Sequence, residues 1–135
     1  MAEESRFLFV YGTLRRGFGH PMHDRLSRYA SLVGPASTAG QLFDMGRYPA
    51  AVVATREDDL IHGELYELDD PDEVWPWLDE YEGYFPGDAA DSLFVRRVAL
   101  VDIEGREPLH AWIYWYNRPV DGFEHIASGG TQPSD

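Results

Sequence analysis

A run of four apolar residues, Phe7-Leu8-Phe9-Val10, stops at Tyr11-Gly12, and this ending constrains the fold more than any other stretch. The run is too short for a helix and rich in aromatic and β-branched side chains. It therefore predicts a buried strand. Gly12 opens backbone conformations closed to other residues and lets the chain come near a ligand. The turn continues as Thr13-Leu14-Arg15-Arg16-Gly17, so a rigid strand delivers a cluster of backbone N–H groups to the surface.

The rest of the chain repeats this grammar of short runs cut by glycine, proline and acidic turns. His20 to Ala30 carries Met22, Leu26 and Tyr29 at helical spacing, with Pro21 near the start. Ser31 to Met45 reads as one bent strand or two short ones, broken at Gly34-Pro35 and Gly40. Ala50 to Thr55 and the alternating run Leu60 to Leu68 are expected to pair as a hairpin. Asp70, Pro71 and Glu73 form a helix start with Asp70 as N-cap. Because Pro76 interrupts the hydrogen-bond ladder, the expectation is a single turn to Trp75 and a helix proper from Pro76 to Tyr81, capped by Gly83. Tyr84 to Asp91 reads as a loop, and Leu93–Asp102 with Leu109–Asn117 as a second hairpin. Pro119 to Asp135 loses periodicity, so an ordered core over about 6–118 and an irregular or disordered tail are expected within one domain.

About six or seven strands, paired mostly by hairpins and with helices inserted singly, predict an α+β fold with a strongly curved or closed sheet. With 11 basic against 24 acidic residues the formal charge is −13, which repels phosphate backbones and anionic membranes. No nucleic-acid or membrane partner is therefore expected. Every basic residue is an arginine and cysteine is absent. Schiff-base, P-loop-lysine and thiol chemistry fall away. The acidic N-terminus lacks a signal-peptide core and no apolar run approaches a membrane span, so a cytoplasmic setting is expected.

Leu78-Asp79-Glu80-Tyr81-Glu82-Gly83-Tyr84 is the second informative stretch. It places Glu82 in the last turn of a helix, where the dipole and burial both oppose a charged carboxylate. A glutamate held there has a proton affinity raised toward neutrality, as a proton shuttle needs. An acidic helix end in an acidic chain is the alternative reading. His20-Pro21-Met22-His23 has metal-like spacing but no second cluster joins it, and His62, His110 and His125 are scattered. No metal and no cofactor are expected.

Taken in order, Tyr11-Gly12-Thr13-Leu14, Gly40-x-Leu42, Tyr48-Pro49-Ala50, Gly63-Glu64-Leu65-Tyr66, Leu78-Asp79-x-Tyr81-Glu82-Gly83, Arg96 and Ala111-Trp112-x-Tyr114 resemble the gamma-glutamylcyclotransferase-like (AIG2-like) family. The likeness runs from about Phe7 to Asn117. It implies a small mixed β-barrel with a few short helices and a cavity floored by the Tyr11–Leu14 turn. It also implies an activity: the α-amine of a γ-glutamyl group attacks its own γ-carbonyl, releasing 5-oxoproline and a free amine or amino acid. Glu82 would be the general acid/base, while Tyr11, Gly12, Thr13, Leu14, Tyr48, Pro49 and Tyr114 would bind or enclose a small γ-glutamyl substrate. Since the nucleophile belongs to the substrate, the chemistry needs no Cys or Lys. A γ-glutamylamine or acylated-metabolite substrate, or a non-catalytic ligand-binding domain, are the competing readings.

For several of these residues a structural role competes. Tyr11 either hydrogen-bonds substrate or caps its strand, Arg96 suits a carboxylate partner better than a ligand, and Tyr81 and Tyr84 suit packing. Trp112, Tyr114 and Tyr116 form a stripe suited to core or barrel wall, with Trp115 on the opposite face. Two departures from the family pattern stand out: Phe94 where many relatives have tyrosine, and Ser128-Gly129-Gly130 in place of a Gly-Asp-Trp ending.

Overall fold

A computed structural model of the chain describes residues 5–12, 21–46, 48–54 and 59–126. Eight strands and two helices are seen there: β1 (Phe7–Val10), α1 (Pro21–Ser27), β2 (Ala30–Ala39), β3 (Gln41–Asp44), β4 (Pro49–Val52), β5 (Leu60–Leu68), α2 (Pro71–Glu82), β6 (Phe94–Ile103), β7 (Leu109–Tyr116) and β8 (Glu124–His125). A 3-10 turn at Ala89–Asp91 precedes β6. Five strands close a barrel in the order β1-β5-β2-β6-β7, and β4-β3-β8 form a second, three-stranded sheet. Pairing inside the barrel is antiparallel except where β1 meets β7 in parallel at Leu8 and Trp112. The expected mixed barrel in an α+β fold is present.

Alternation along each strand builds two cores from one wall. Phe9, Ile61, Leu65, Val101 and Ile113 pack together on one face, and Tyr11 joins them. Leu8, Val10, Tyr66, Leu68 and Tyr114 turn to the other face and pack with Leu26 of α1 and with Val74 and Leu78 of α2. With both faces of β1 covered, its apolar run needs no polar alternation. The stripe Trp112, Tyr114, Tyr116 lies on the helix side and Trp115 on the other, as their parity in β7 requires.

Four local expectations change. First, β4 pairs with β3, not with β5. The turn that decides it lies before β4: Gly46 sits at φ 93° and the Met45 N–H donates to the Tyr48 carbonyl at 3.1 Å. β5 is instead shared between β1 and β2, and Gly63 makes the first contact possible. A Cβ there would stand 2.2 Å from the Val10 carbonyl oxygen. Second, α2 runs unbroken through Pro76. Val74 and Leu78, one turn apart, are fully buried against the barrel, and that packing outweighs the one backbone bond that proline removes. Asp70 caps the start and Gly83, at φ 72° and ψ 32°, ends the helix as expected. Third, β2 passes Gly34-Pro35 as one strand with a register shift between Leu32 and Gly34, a bulge rather than a break. Fourth, the stretch after Pro119 carries β8, and the Ile126 N–H donates to the Leu42 carbonyl at 2.8 Å.

Candidate active site

A cleft of about 320 Å³ opens where the end of β1, the start of β4, the last turn of α2 and the wall strands β6 and β7 meet. Its described lining includes Val10, Tyr11, Gly12, Tyr48, Pro49, Glu82, Phe94 and Tyr114. Six of the eight residues expected at the site, Glu82, Tyr11, Gly12, Tyr48, Pro49 and Tyr114, therefore meet in one cleft. Thr13 and Leu14 lie outside the described residues, as do Arg15 and Arg16.

Glu82 is the last residue of α2. Two bonds close the helix beneath it: the Gly83 N–H donates to the Glu80 carbonyl at 3.1 Å and the Tyr84 N–H to the Asp79 carbonyl at 2.8 Å. This pair is a Schellman closure, and it turns the chain away so that the Glu82 side chain faces the cleft. Burial pushes the Glu82 carboxyl up to about 7, and the negative charge of Asp79 adds to the rise. The position at a helix C-terminus acts in the same direction.

Tyr11 is buried, and its hydroxyl donates to the Tyr114 carbonyl while the Ala51 backbone N–H faces the same oxygen. The phenol thus bolts β1 to β7 and β4. Burial, with the Glu82 charge next, holds its proton on well above the usual phenol range. Tyr114, 3% exposed, donates its own hydroxyl to Asp79 Oδ1 at 2.7 Å. Its proton too is held far above the usual range, first by burial and then by Asp79. Both phenols are fixed hydrogen-bonding walls rather than acids or bases near neutral pH.

Gly12 does not take a positive φ. Its lack of a side chain matters for space: a Cβ there would lie 3.4 Å from the Pro49 ring, inside the cleft. Tyr48 stacks at an angle with Phe94, ring centres 5.8 Å apart, and with Tyr116 at 6.3 Å. Phe94, the departure noted above, therefore supplies an apolar ring to the cleft wall.

Asp79 was not among the expected site residues, yet it is the most heavily bonded carboxylate near the cleft. Arg96 grips it with two bonds, Nε to Oδ1 at 2.8 Å and Nη2 to Oδ2 at 3.1 Å. The Arg96 guanidinium lies in the corner made by the Trp75 ring, at 4.0 Å, and the Trp112 ring, at 4.6 Å. Its signal in the sequence was the spacing from Glu82, three positions on one helix face, and an arginine in a strand. Among the described residues no group of three His, Asp or Glu side chains is placed to hold a metal ion, and no helix is long and apolar enough to cross a membrane.

The cleft thus sets a carboxylate of raised proton affinity at one end of a small barrel, beside Tyr11 and Gly12. The chain belongs to the gamma-glutamyl cyclotransferase, AIG2-like family, whose model matches residues 8–130. It is 41% identical over 113 residues to gamma-L-glutamyl-butirosin B gamma-glutamyl cyclotransferase from Niallia circulans, covering 82% of this chain and 67% of that protein. It is 33% identical over 125 residues to the gamma-glutamylcyclotransferase family protein YtfP of Escherichia coli, covering 90% and 92%. The solution structure of YtfP superposes with a TM-score of 0.62 at 32% identity, over 92% of this chain and 94% of that one.

Proposed function

We propose that the protein releases 5-oxoproline and a free amine or amino acid from a small γ-glutamyl compound, with Glu82 as the general acid/base. The observation that carries this reading is the half-buried Glu82 side chain at the end of α2, lining the cleft, where burial raises its carboxyl to about 7. The substrate's α-amine arrives as an ammonium and must lose a proton before it can attack. The departing nitrogen must gain one. A carboxyl poised near neutrality serves both steps in turn, first accepting and then donating.

The cleft supports the remaining needs of the reaction. Tyr48, Pro49, Phe94 and Tyr114 enclose the substrate's carbon chain and hold amine and carbonyl together. Gly12 at the cleft, and Thr13 and Leu14 that follow it in the sequence, take the substrate carboxylate or the developing oxyanion. The identity to the butirosin-related enzyme supports a second substrate reading within the same chemistry, an acylated metabolite whose leaving group is a larger amine.

Release of 5-oxoproline from a panel of γ-glutamyl amino acids and γ-glutamylamines, by wild type and Glu82→Gln, tests the proposal. Glutamine keeps the shape and removes the proton shuttle. We expect at least one substrate to be turned over by wild type and the rate to fall roughly a hundredfold in the variant. An unchanged rate in Glu82→Gln removes that residue from the reaction.

A further inference from the structure

We propose that Asp79 is the positioning residue for Glu82: clamped by Arg96 and the Tyr114 hydroxyl, it fixes the end of α2 against the barrel wall and presents a set negative charge to the Glu82 carboxyl. This inference rests on Glu82 being the acid/base group of the site.

Three observations point this way. Asp79 and Glu82 stand three residues apart on α2 and so share a face. Asp79 is only 6% exposed, and both its oxygens are occupied, Oδ1 by Arg96 and Tyr114 and Oδ2 by Arg96. These bonds hold the carboxylate in one orientation and tie the end of α2 that carries Glu82 to β6 and β7. Third, the clamp joins the cleft wall at both ends of one residue. Tyr114 gives its hydroxyl to Asp79 and its carbonyl to Tyr11, so β1, β7, β6 and α2 are tied around the cleft.

Stability alone is a poor reason for such a pair. A buried ion pair is often no better for the fold than apolar residues of the same volume. Its two charges have opposite signs and so opposite effects on a neighbouring carboxyl: Asp79 opposes ionisation of Glu82, whereas a cation favours it. Among the described residues, the other titratable groups facing the cleft are Tyr11 after β1, Tyr48 beside β4, Glu80 and Tyr81 from α2, and Tyr114 from β7. Of these Glu80 is exposed to water, which weakens its hold on Glu82.

The test is a carbon-13 NMR titration of the Glu82 side-chain carboxyl in the full chain, its signal assigned by its loss in Glu82→Gln. It needs no substrate, so its result is independent of whether any γ-glutamyl compound is turned over. The wild-type midpoint is expected at about 7. In Asp79→Asn, with Arg96 left without its counter-charge, the midpoint falls by roughly one unit or more. In Arg96→Gln, with Asp79 kept, it does not fall. A purely structural clamp gives a different pattern, because loosening the wall admits water and lowers the midpoint in both variants. A fall in both, or no fall in Asp79→Asn, overturns the proposal. Tyr114→Phe gives the same discrimination if either variant fails to fold: loss of the donor to Asp79 moves the midpoint slightly up, whereas loosening moves it down.

Discussion

On the proposed mechanism, Glu82 sets a conflict between activity and stability within a single residue. Its folded-state pKa of about 7 lies above the ordinary glutamate value of 4.5, so the native chain holds this proton more tightly than the unfolded chain. The associated stabilisation is complete below pH 4.5 and is lost as pH rises through about 7. Conversion of the whole shift gives an upper limit of about 3 kcal/mol. We therefore predict that Glu82→Gln, which stays neutral, is more stable than wild type at pH 8 and that the gain disappears by pH 4. Urea unfolding at the two pH values measures it, and a variant less stable than wild type at pH 8 contradicts the prediction. Glu82 was legible in the sequence because the glycine that ends its helix follows directly. That Arg96 would pair with a carboxylate was legible, but not that Asp79 is the partner, since the two lie on different elements and only the closed barrel brings β6 beneath α2.

At the scale of elements, caps were easier to read than interruptions. Asp70 and Gly83 act through bonds to their own neighbours, and both ends of α2 fell where those residues require. Pro76 misled because its penalty is local whereas the burial of Val74 and Leu78 is tertiary. The same argument yields a prediction. Pro76 is exposed, and alanine at that position restores an N–H able to donate to the Asp72 carbonyl. Pro76→Ala is expected to raise stability by about 1 kcal/mol, the restored bond outweighing the added freedom of the unfolded chain. Thermal melting checks this, and a lowered midpoint would show that the proline is part of the packing. The pairing of β4 was misread for a related reason. Alternation in β5 was strong enough to demand partners but says nothing about which strands supply them.

At the scale of the whole molecule, the β6–β7 hairpin and the α+β class were visible because each depends on residues close in sequence. The closing parallel contact between β1 and β7 was not, being one register pair between the two ends of the barrel. That contact gathers the site: it brings the Tyr-Gly turn beside Tyr114, and Tyr114 in turn beside the end of α2. The most direct test of this account is the pH dependence of kcat/KM for 5-oxoproline release, measured on the best substrate of the panel. Glu82 must be ionised to take the ammonium proton, so the account predicts an acidic limb with a midpoint at about 7 that is absent from the residual activity of Glu82→Gln. A limb that persists unchanged in Glu82→Gln would contradict it and assign the proton transfer to another group.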